Sequence, residues 1–381
     1  MKGPRLLVLG WVALAGCGPT MDERLPSREA RVRGYLDALV AGARTPGVQY
    51  LALDSTRILF EYDAGWADLG HRVPMDGATT MMAYSMSKTI TAAALLQLAA
   101  AHKLGLDDPL ARYVDSLPYT APITLRQVLS HTSGIPNPIP LRWVHLAASH
   151  DTFDEHAALI AVLRQHPRLA FPPGAKYRYS NIGYWLLGSV VERVSGEPFP
   201  AYVAAHILRP LDVASQELGY TIPDAAHHAN GYLEKYSFTN FVKRWVIAPE
   251  FIGDYEGPWL RIEPHHPNGA AFGGLVGTAH GFGKFLQDQL RQHSQLFDDT
   301  TRGLFYAPQA TAAGKPVPMT LGWHIAELDG KRFFYKEGGG GGFHSMMRVY
   351  PTSGVATVVI ANATGFNAKR CLDAVDRQFV R

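Results

Sequence analysis

The change of hydrophobic period along the chain is what most limits its possible folds. Residues 48–53 and 57–62 alternate in the manner of strands around Asp54-Ser55, and the alternation returns only near the C-terminus, over 320–328, 332–336, 345–350 and 355–362. Between these two ends lie apolar stretches of helical period, at 87–99, 181–194 and 278–290. A sheet cannot close on strands from one end alone. The pattern therefore predicts an α+β fold: one antiparallel sheet built from both termini, flanked by terminal helices at 28–41 and 366–380, with a mostly helical domain inserted between. On this reading residues 29–103 and 315–381 make the sheet domain, and residues 104–314 the helical one with long loops. The cleft between them is the expected site.

At 381 residues and 47% hydrophobic composition, the chain buries a large core without staples. It has two cysteines, Cys17 and Cys371, too far apart in the chain for a thiolate zinc cluster. Cys371 reads as a small buried hydrophobe. The formal charge is +3, and it falls to +1 without Lys2 and Arg5, which excludes a nucleic-acid partner. His265-His266 has no acidic partner at diagnostic spacing, and Gly338–Gly342 lacks the strand-to-helix context of a phosphate loop. No metal and no cofactor is expected.

Residues 1–16 read as an export signal, with Lys2 and Arg5 ahead of an apolar run from Leu6 to Ala15. The following Leu14-Ala15-Gly16-Cys17 resembles the bacterial lipoprotein processing box. That resemblance implies lipidation of Cys17, a tether over 17–28, and anchoring in the cell envelope. Gly18 fits delivery to the periplasmic side of the outer membrane.

The candidate chemistry starts at Ser85-Met86-Ser87-Lys88, at the mouth of an apolar helix. Residues three apart share a helix face, so Ser85 and Lys88 can point into one cavity. A serine hydroxyl needs an unprotonated base, and a lysine becomes one only where burial or a second cation lowers its pKa. Farther on, Phe171-Pro172-Pro173-Gly174 is a rigid loop leading to Tyr179-Ser180-Asn181. His131 reads as a polar latch in a turn. Residues 212–277 show no sustained periodicity, and their aromatics Phe238, Phe241, Trp245, Phe251, Tyr255 and Trp259 form either a substrate wall or a satellite core under a loop.

With these motifs and Ala271-Phe272-Gly273-Gly274-Leu275, the chain resembles the serine beta-lactamase and penicillin-binding superfamily, in particular its class C beta-lactamase, D-alanyl-D-alanine carboxypeptidase and esterase branch. The resemblance runs from about residue 30 to the end. It places the family's third motif, Lys-Thr-Gly, at Lys336-Glu337-Gly338, with glutamate in place of the hydroxyl residue.

It implies that Ser85 attacks a carbonyl, that Lys88 and Tyr179, as phenolate or hydroxyl, relay its proton, and that Lys336 keeps their pKa values low by its field. Asn181 would bind substrate or orient Lys88 and Tyr179. Gly338 and Gly339 would let substrate approach the backbone, with Ser85 and Gly339 N–H groups as the oxyanion hole. The expected function is a serine hydrolase acting on an ester, a small amide or a D-amino-acid peptide bond. The alternatives are a penicillin- or peptidoglycan-binding lipoprotein with little turnover, or a beta-lactamase. Glu337 predicts poor turnover of penicillins and cephalosporins if it faces the substrate carboxylate, although strand neighbours alternate faces. The partner is a small-molecule or short-peptide substrate.

Overall fold

The computed structural model describes residues 27–138 and 142–380, with the backbone alone at 244–246. The export segment and Cys17 lie outside these residues. The first helix, α1 (Arg28–Ala41), starts where the Ser27 hydroxyl accepts the Ala30 N–H, and it buries Val32 and Leu36. Strands β1 (Gly47–Leu53) and β2 (Ile58–Asp68) form the first hairpin. Its turn is held by the Asp54 carboxylate, which accepts the N–H groups of Thr56 and Arg57 at 2.7 and 2.9 Å. A short β3 (Val73–Pro74) follows.

Helix α2 (Ser87–Ala100) is buried nearly throughout, because small alanines let neighbours approach on every side. Helix α3 (Asn181–Ser195) is capped by Ser180 and ended by Gly196, whose φ of 79° is a conformation glycine adopts at no steric cost. The stretch without periodicity holds β4 (Gly231–Glu234), α4 (Phe238–Val246), β5 (Ile252–Glu256) and β6 (Trp259–Ile262), the strands pairing as a small sheet in the order β4-β6-β5. Then come α5 (Ala279–Leu290), the strands β7 (His324–Leu328), β8 (Lys331–Gly339), β9 (His344–Tyr350) and β10 (Val355–Ala361), and helix α6 (Ala368–Val375).

The main sheet is seven-stranded and antiparallel, ordered β7-β8-β9-β10-β1-β2-β3. The last strand of the chain thus pairs with the first, as the two-ended pattern requires. Alternation along β10 shows how its two faces are used. Val359 and Ala361 pack with Val32 and Leu36 of α1 and Leu372 and Val375 of α6, while Val358 and Ile360 join the larger core with Phe282, Phe285 and Leu286 of α5. Helix α5, inside the segment assigned to the helical domain, lies directly against β1 and β10. Among the described residues no helix is long and apolar enough to cross a membrane.

β2 runs on to Asp68 and β8 to Gly339, past the ends read at 62 and 336, and two more boundaries differ from the sequence reading. β7 starts at His324 rather than Thr320, because the Thr320 hydroxyl accepts the Trp323 N–H and Gly322, at φ 107°, turns the chain against Ala92 of α2. The terminal helix is α6 followed by a 3-10 turn, not one continuous helix over 366–380.

Candidate active site

Ser85 sits in a 3-10 turn (Tyr84–Met86) that leads into α2. The turn is fixed from both sides. The Ala83 N–H donates to Leu275 O at 2.9 Å, and the Ser87 hydroxyl donates to Tyr84 O while accepting the Leu275 N–H. Tyr84 takes a φ of 46°, strained for a side chain of that size. Its hydroxyl donates to Gly341 O at 2.6 Å and lies 2.9 Å from His265 Nε2, which holds the ring under the glycine run.

At the second position of α2, Lys88 is fully buried. Its Nζ lies 2.9 Å from Ser85 Oγ, 2.7 Å from Asn181 Oδ1 and 2.6 Å from Phe272 O. Burial, and then the charge of Lys336, push its pKa far below the ordinary lysine value. Protonated, Lys88 can donate to all three oxygens; unprotonated, it has two hydrogens and one lone pair. In the unprotonated form both hydrogens are taken by the carbonyl oxygens of Asn181 and Phe272, neither of which can donate. The lone pair is left to accept the Ser85 hydroxyl proton.

Tyr179 OH donates to Ser85 Oγ at 2.8 Å. Burial raises its pKa well above the usual phenol range, so of the two expected forms the structure holds the hydroxyl; the expectation that Lys336 lowers this group's pKa is corrected. The tyrosine is placed by its neighbours. Ser180 caps α3, and its N–H donates to His131 Nδ1, while the His131 ring packs against the Tyr179 ring with centroids 4.3 Å apart. His131, held neutral by burial and the nearby cations, is thus the latch that fixes Tyr179.

Lys336 lies on β8, fully buried, and its Nζ has no hydrogen-bond partner. It stands 5.3 Å from the Tyr179 ring centroid, with Lys88 at 5.0 Å from the same ring. Burial lowers its pKa to about 7. Two lysines and a phenol from three distant segments therefore converge on Ser85, with both lysine pKa values lowered and the phenol pKa raised by burial.

The glycine run has a packing reason. A side chain at Gly338 would collide with the Ala83 carbonyl oxygen, and one at Gly340 with the Tyr84 ring. The end of β8 can thus lie against the turn that carries the nucleophile. Gly338 is buried there, which corrects its reading as a point of substrate approach; Gly339 is exposed and lines the cavity. Glu337 faces away from Lys336, and its Oε1 lies 2.7 Å from His344 Nε2.

A cavity of about 440 Å³ opens over Ser85, lined by Tyr84, Asn181, His265, Phe272, His344 and Gly339 to Gly341. Its far wall is apolar: Trp143, Val144, Leu233, Ile247, Phe251 and Ile262. The aromatics of 212–277 divide. Phe251 lines this wall, Trp259 packs in the core around α1, and Phe238 and Phe241 are exposed. Sequence reasoning passed over Tyr84 and His344; the glycine run facing the nucleophile was the signal for the first. His266 stacks on His150, with ring centroids 3.9 Å apart, and among the described residues no cluster of His, Cys, Asp and Glu is arranged to hold a metal.

The beta-lactamase family profile matches residues 32–380. Protein flp of Staphylococcus aureus is 27% identical over 192 residues, covering 49% of this chain and 38% of that protein, so the match spans less than half of the relative's length. Among solved structures, D-amino acid amidase from Ochrobactrum anthropi superposes with a TM-score of 0.76 at 21% identity, covering 92% of this chain and 98% of that one. EstCE1, described as a hydrolase with promiscuous acyltransferase activity, superposes with a TM-score of 0.68 at 20% identity, covering 92% and 97%. With a profile that runs from α1 to the last described residue and a fold shared along the same length, the chain belongs to the beta-lactamase family.

Proposed function

We propose that the protein is a serine hydrolase that forms an acyl-enzyme on Ser85 and cleaves an ester or small amide with an uncharged, apolar group beside the scissile carbonyl. The observation that carries this reading is the buried Lys88 Nζ, 2.9 Å from Ser85 Oγ with its two other contacts to carbonyl oxygens, an arrangement that leaves the lone pair of the unprotonated amine to the Ser85 hydroxyl. Ser85 Oγ bonds to the carbonyl carbon as its proton passes to Lys88. The C–O or C–N bond then breaks, and the leaving group takes a proton from Lys88 by way of the Tyr179 hydroxyl. Water attacks the acyl-serine, its proton going to Lys88 and on to Ser85 Oγ as the acid departs. The N–H groups of Ser85 and Gly339 would receive the oxyanion, at roughly 3–4 kcal/mol per donor.

The cavity lining supports the substrate class. Among the described residues that line it there is no lysine or arginine, and Lys336 stands buried behind Tyr179. A substrate carboxylate finds His344 on the described lining, with the Glu337 carboxylate 2.7 Å from its Nε2, instead of a fixed cation. Neutral esters suit the site better than penicillins. The relatives named for an amidase and an acyltransferring hydrolase fit the same reaction class. The Leu14-Ala15-Gly16-Cys17 box supports the reading of this hydrolase as an envelope lipoprotein on the periplasmic side of the outer membrane.

The test is labelling by a fluorophosphonate, followed by p-nitrophenyl ester and D-amino-acid amide panels, with Ser85→Ala as control. Labelling and turnover that vanish in the variant support the proposal; their absence in the unaltered protein overturns it. Stoichiometric acylation by labelled penicillin without turnover would favour the binding-protein alternative.

A further inference from the structure

The segment from Lys235 to Pro249 carries three cations, four aromatic residues and no acidic residue. The structure folds its centre as α4, a short helix with a strongly divided surface. Tyr236, Phe238 and Phe241 are 89%, 79% and 79% exposed, the most exposed large hydrophobic side chains among the described residues. Cations lie beside one of these rings and beside a neighbouring one: Lys235 Nζ is 5.9 Å from the Tyr236 ring centroid and 5.3 Å from that of Tyr255, and Lys243 donates to the Tyr255 hydroxyl at 2.9 Å and to Asn240. On the same helix, Thr239 and its C-cap Ile247 line the cavity over Ser85. One short element therefore forms the cavity wall with some side chains and presents bare aromatics to the outside with others.

Cores of protein interfaces enrich aromatics but deplete lysine. Aromatics interleaved with lysines, on a helix of high amphipathicity, instead match the boundary between lipid headgroups and acyl chains, where the rings enter and the ammonium groups meet anionic phosphates. We infer that residues 235–247 are a docking surface for an anionic lipid bilayer, which seats Tyr236, Phe238 and Phe241 in the interface and holds the cavity mouth beside the membrane. The inference is separate from the acyl-enzyme chemistry, and its test needs no turnover.

The probe is the full chain carrying Cys17→Ser and Phe241→Cys, labelled with an environment-sensitive bimane. Cys371 is buried and does not compete for the label. A second label at Thr300→Cys, exposed on the helix Asp299–Tyr306, reports any general effect. Vesicles of phosphatidylcholine with 30% phosphatidylglycerol should shift the residue 241 label to the blue and leave the residue 300 label unchanged. Pure phosphatidylcholine, or ~0.5 M salt, should weaken the shift. Phe238→Ser together with Tyr236→Ser should lower vesicle partitioning at least ~10-fold, with thermal unfolding and soluble-ester hydrolysis unchanged, since neither side chain lines the cavity. Two results would overturn the inference. One is binding to vesicles with no change at the residue 241 label, which assigns attachment to residues outside the described region. The other is a concentration-dependent dimer in light scattering that Phe238→Ser dissolves, which assigns the patch to a second copy.

Discussion

Lys336 and Glu337 are consecutive on β8 and serve opposite faces of it: the ammonium group of the first is sealed against the ring of Tyr179, while the carboxylate of the second leans out to His344 at 2.7 Å. Strand alternation alone separates them. The lysine can then act on Lys88 and the glutamate on the approaching substrate without the two neutralising each other.

Replacing Lys336 by Met removes the cation that, after burial, holds the Lys88 pKa down. The Lys88 pKa then rises, and less of the amine is free to accept the Ser85 proton at neutral pH. We expect kcat/KM for a neutral ester to fall roughly 10–100-fold at pH 7, with the acid limb of its pH profile moved to higher pH. Lys336 titrates at about 7, so its own charge fades on the alkaline side. The variant should therefore approach the unaltered protein near pH 9. A uniform loss at every pH would mean that Lys336 acts by packing alone.

The Glu337 carboxylate, held against the cavity-lining His344, makes a prediction of a different kind. Glu337→Thr restores a hydroxyl at the third motif and removes the negative charge that an anionic substrate must approach. Nitrocefin hydrolysis should rise by about tenfold in kcat/KM, equivalent to ~1.4 kcal/mol, while a neutral p-nitrophenyl ester changes less than about twofold. Equal effects on the two substrates would show that Glu337 does not select by charge.

The glycines of the run separate into structural and cavity-facing positions. A Cβ at 338 meets the backbone of Ala83, which cannot swing aside as a side chain can, whereas one at 339 meets only the His344 ring, at 3.6 Å. Gly338→Ala should lower stability by about 1–3 kcal/mol and kcat by roughly 100-fold, because it displaces the turn carrying Ser85. Gly339→Ala should unfold at an unchanged temperature. Urea titration, thermal unfolding and ester kinetics on the pair check both statements.

The frame of this protein was legible because its elements declare themselves by period and by caps. Ser27, Thr124, Ser180 and Thr278 each accept an N–H from the first turn of their helix. The pairing of Val48 with Ala361 follows from strands at both ends of the chain. Ser85, Lys88, Tyr179, Asn181 and Lys336 could be named because a family pattern joined segments that spacing alone leaves apart; their convergence is a tertiary fact. The stretch 212–277 resisted reading, since its strands are two to five residues long and gain stability from pairing rather than from pattern. The cap at Ser237 was the visible sign of α4. Protonation states could not be read in advance either. Tyr179 stays a phenol because burial outweighs any cation near it, and burial is known only once the chain has folded.

The far face of the sheet holds a second buried charge cluster, and it bears on stability rather than catalysis. Arg348 on β9 is fully buried and pairs with Asp376 at 3.3 Å and Asp373 at 2.7 Å. Tyr350 and Thr357 also donate to Asp376, at 2.8 and 3.1 Å. Burial raises the Asp376 pKa to about 6 despite these partners. A carboxyl whose folded pKa lies above its unfolded one stabilises the fold fully at low pH and loses that contribution as pH rises through about 6. Arg348→Met leaves Asp376 without its cation, so the folded pKa climbs further and the protein is left to bury either a bare carboxylate or a neutral acid. The expected loss is about 3–5 kcal/mol at pH 8, read from urea midpoints. At pH 5 Asp376 is largely protonated in both proteins, and the loss should be smaller. Asp376→Asn in the same background should recover part of the stability at pH 8 and little at pH 5. A loss independent of pH would place the whole effect in the packing of the Arg348 side chain over Phe333, whose ring centroid lies 4.6 Å from the guanidinium carbon.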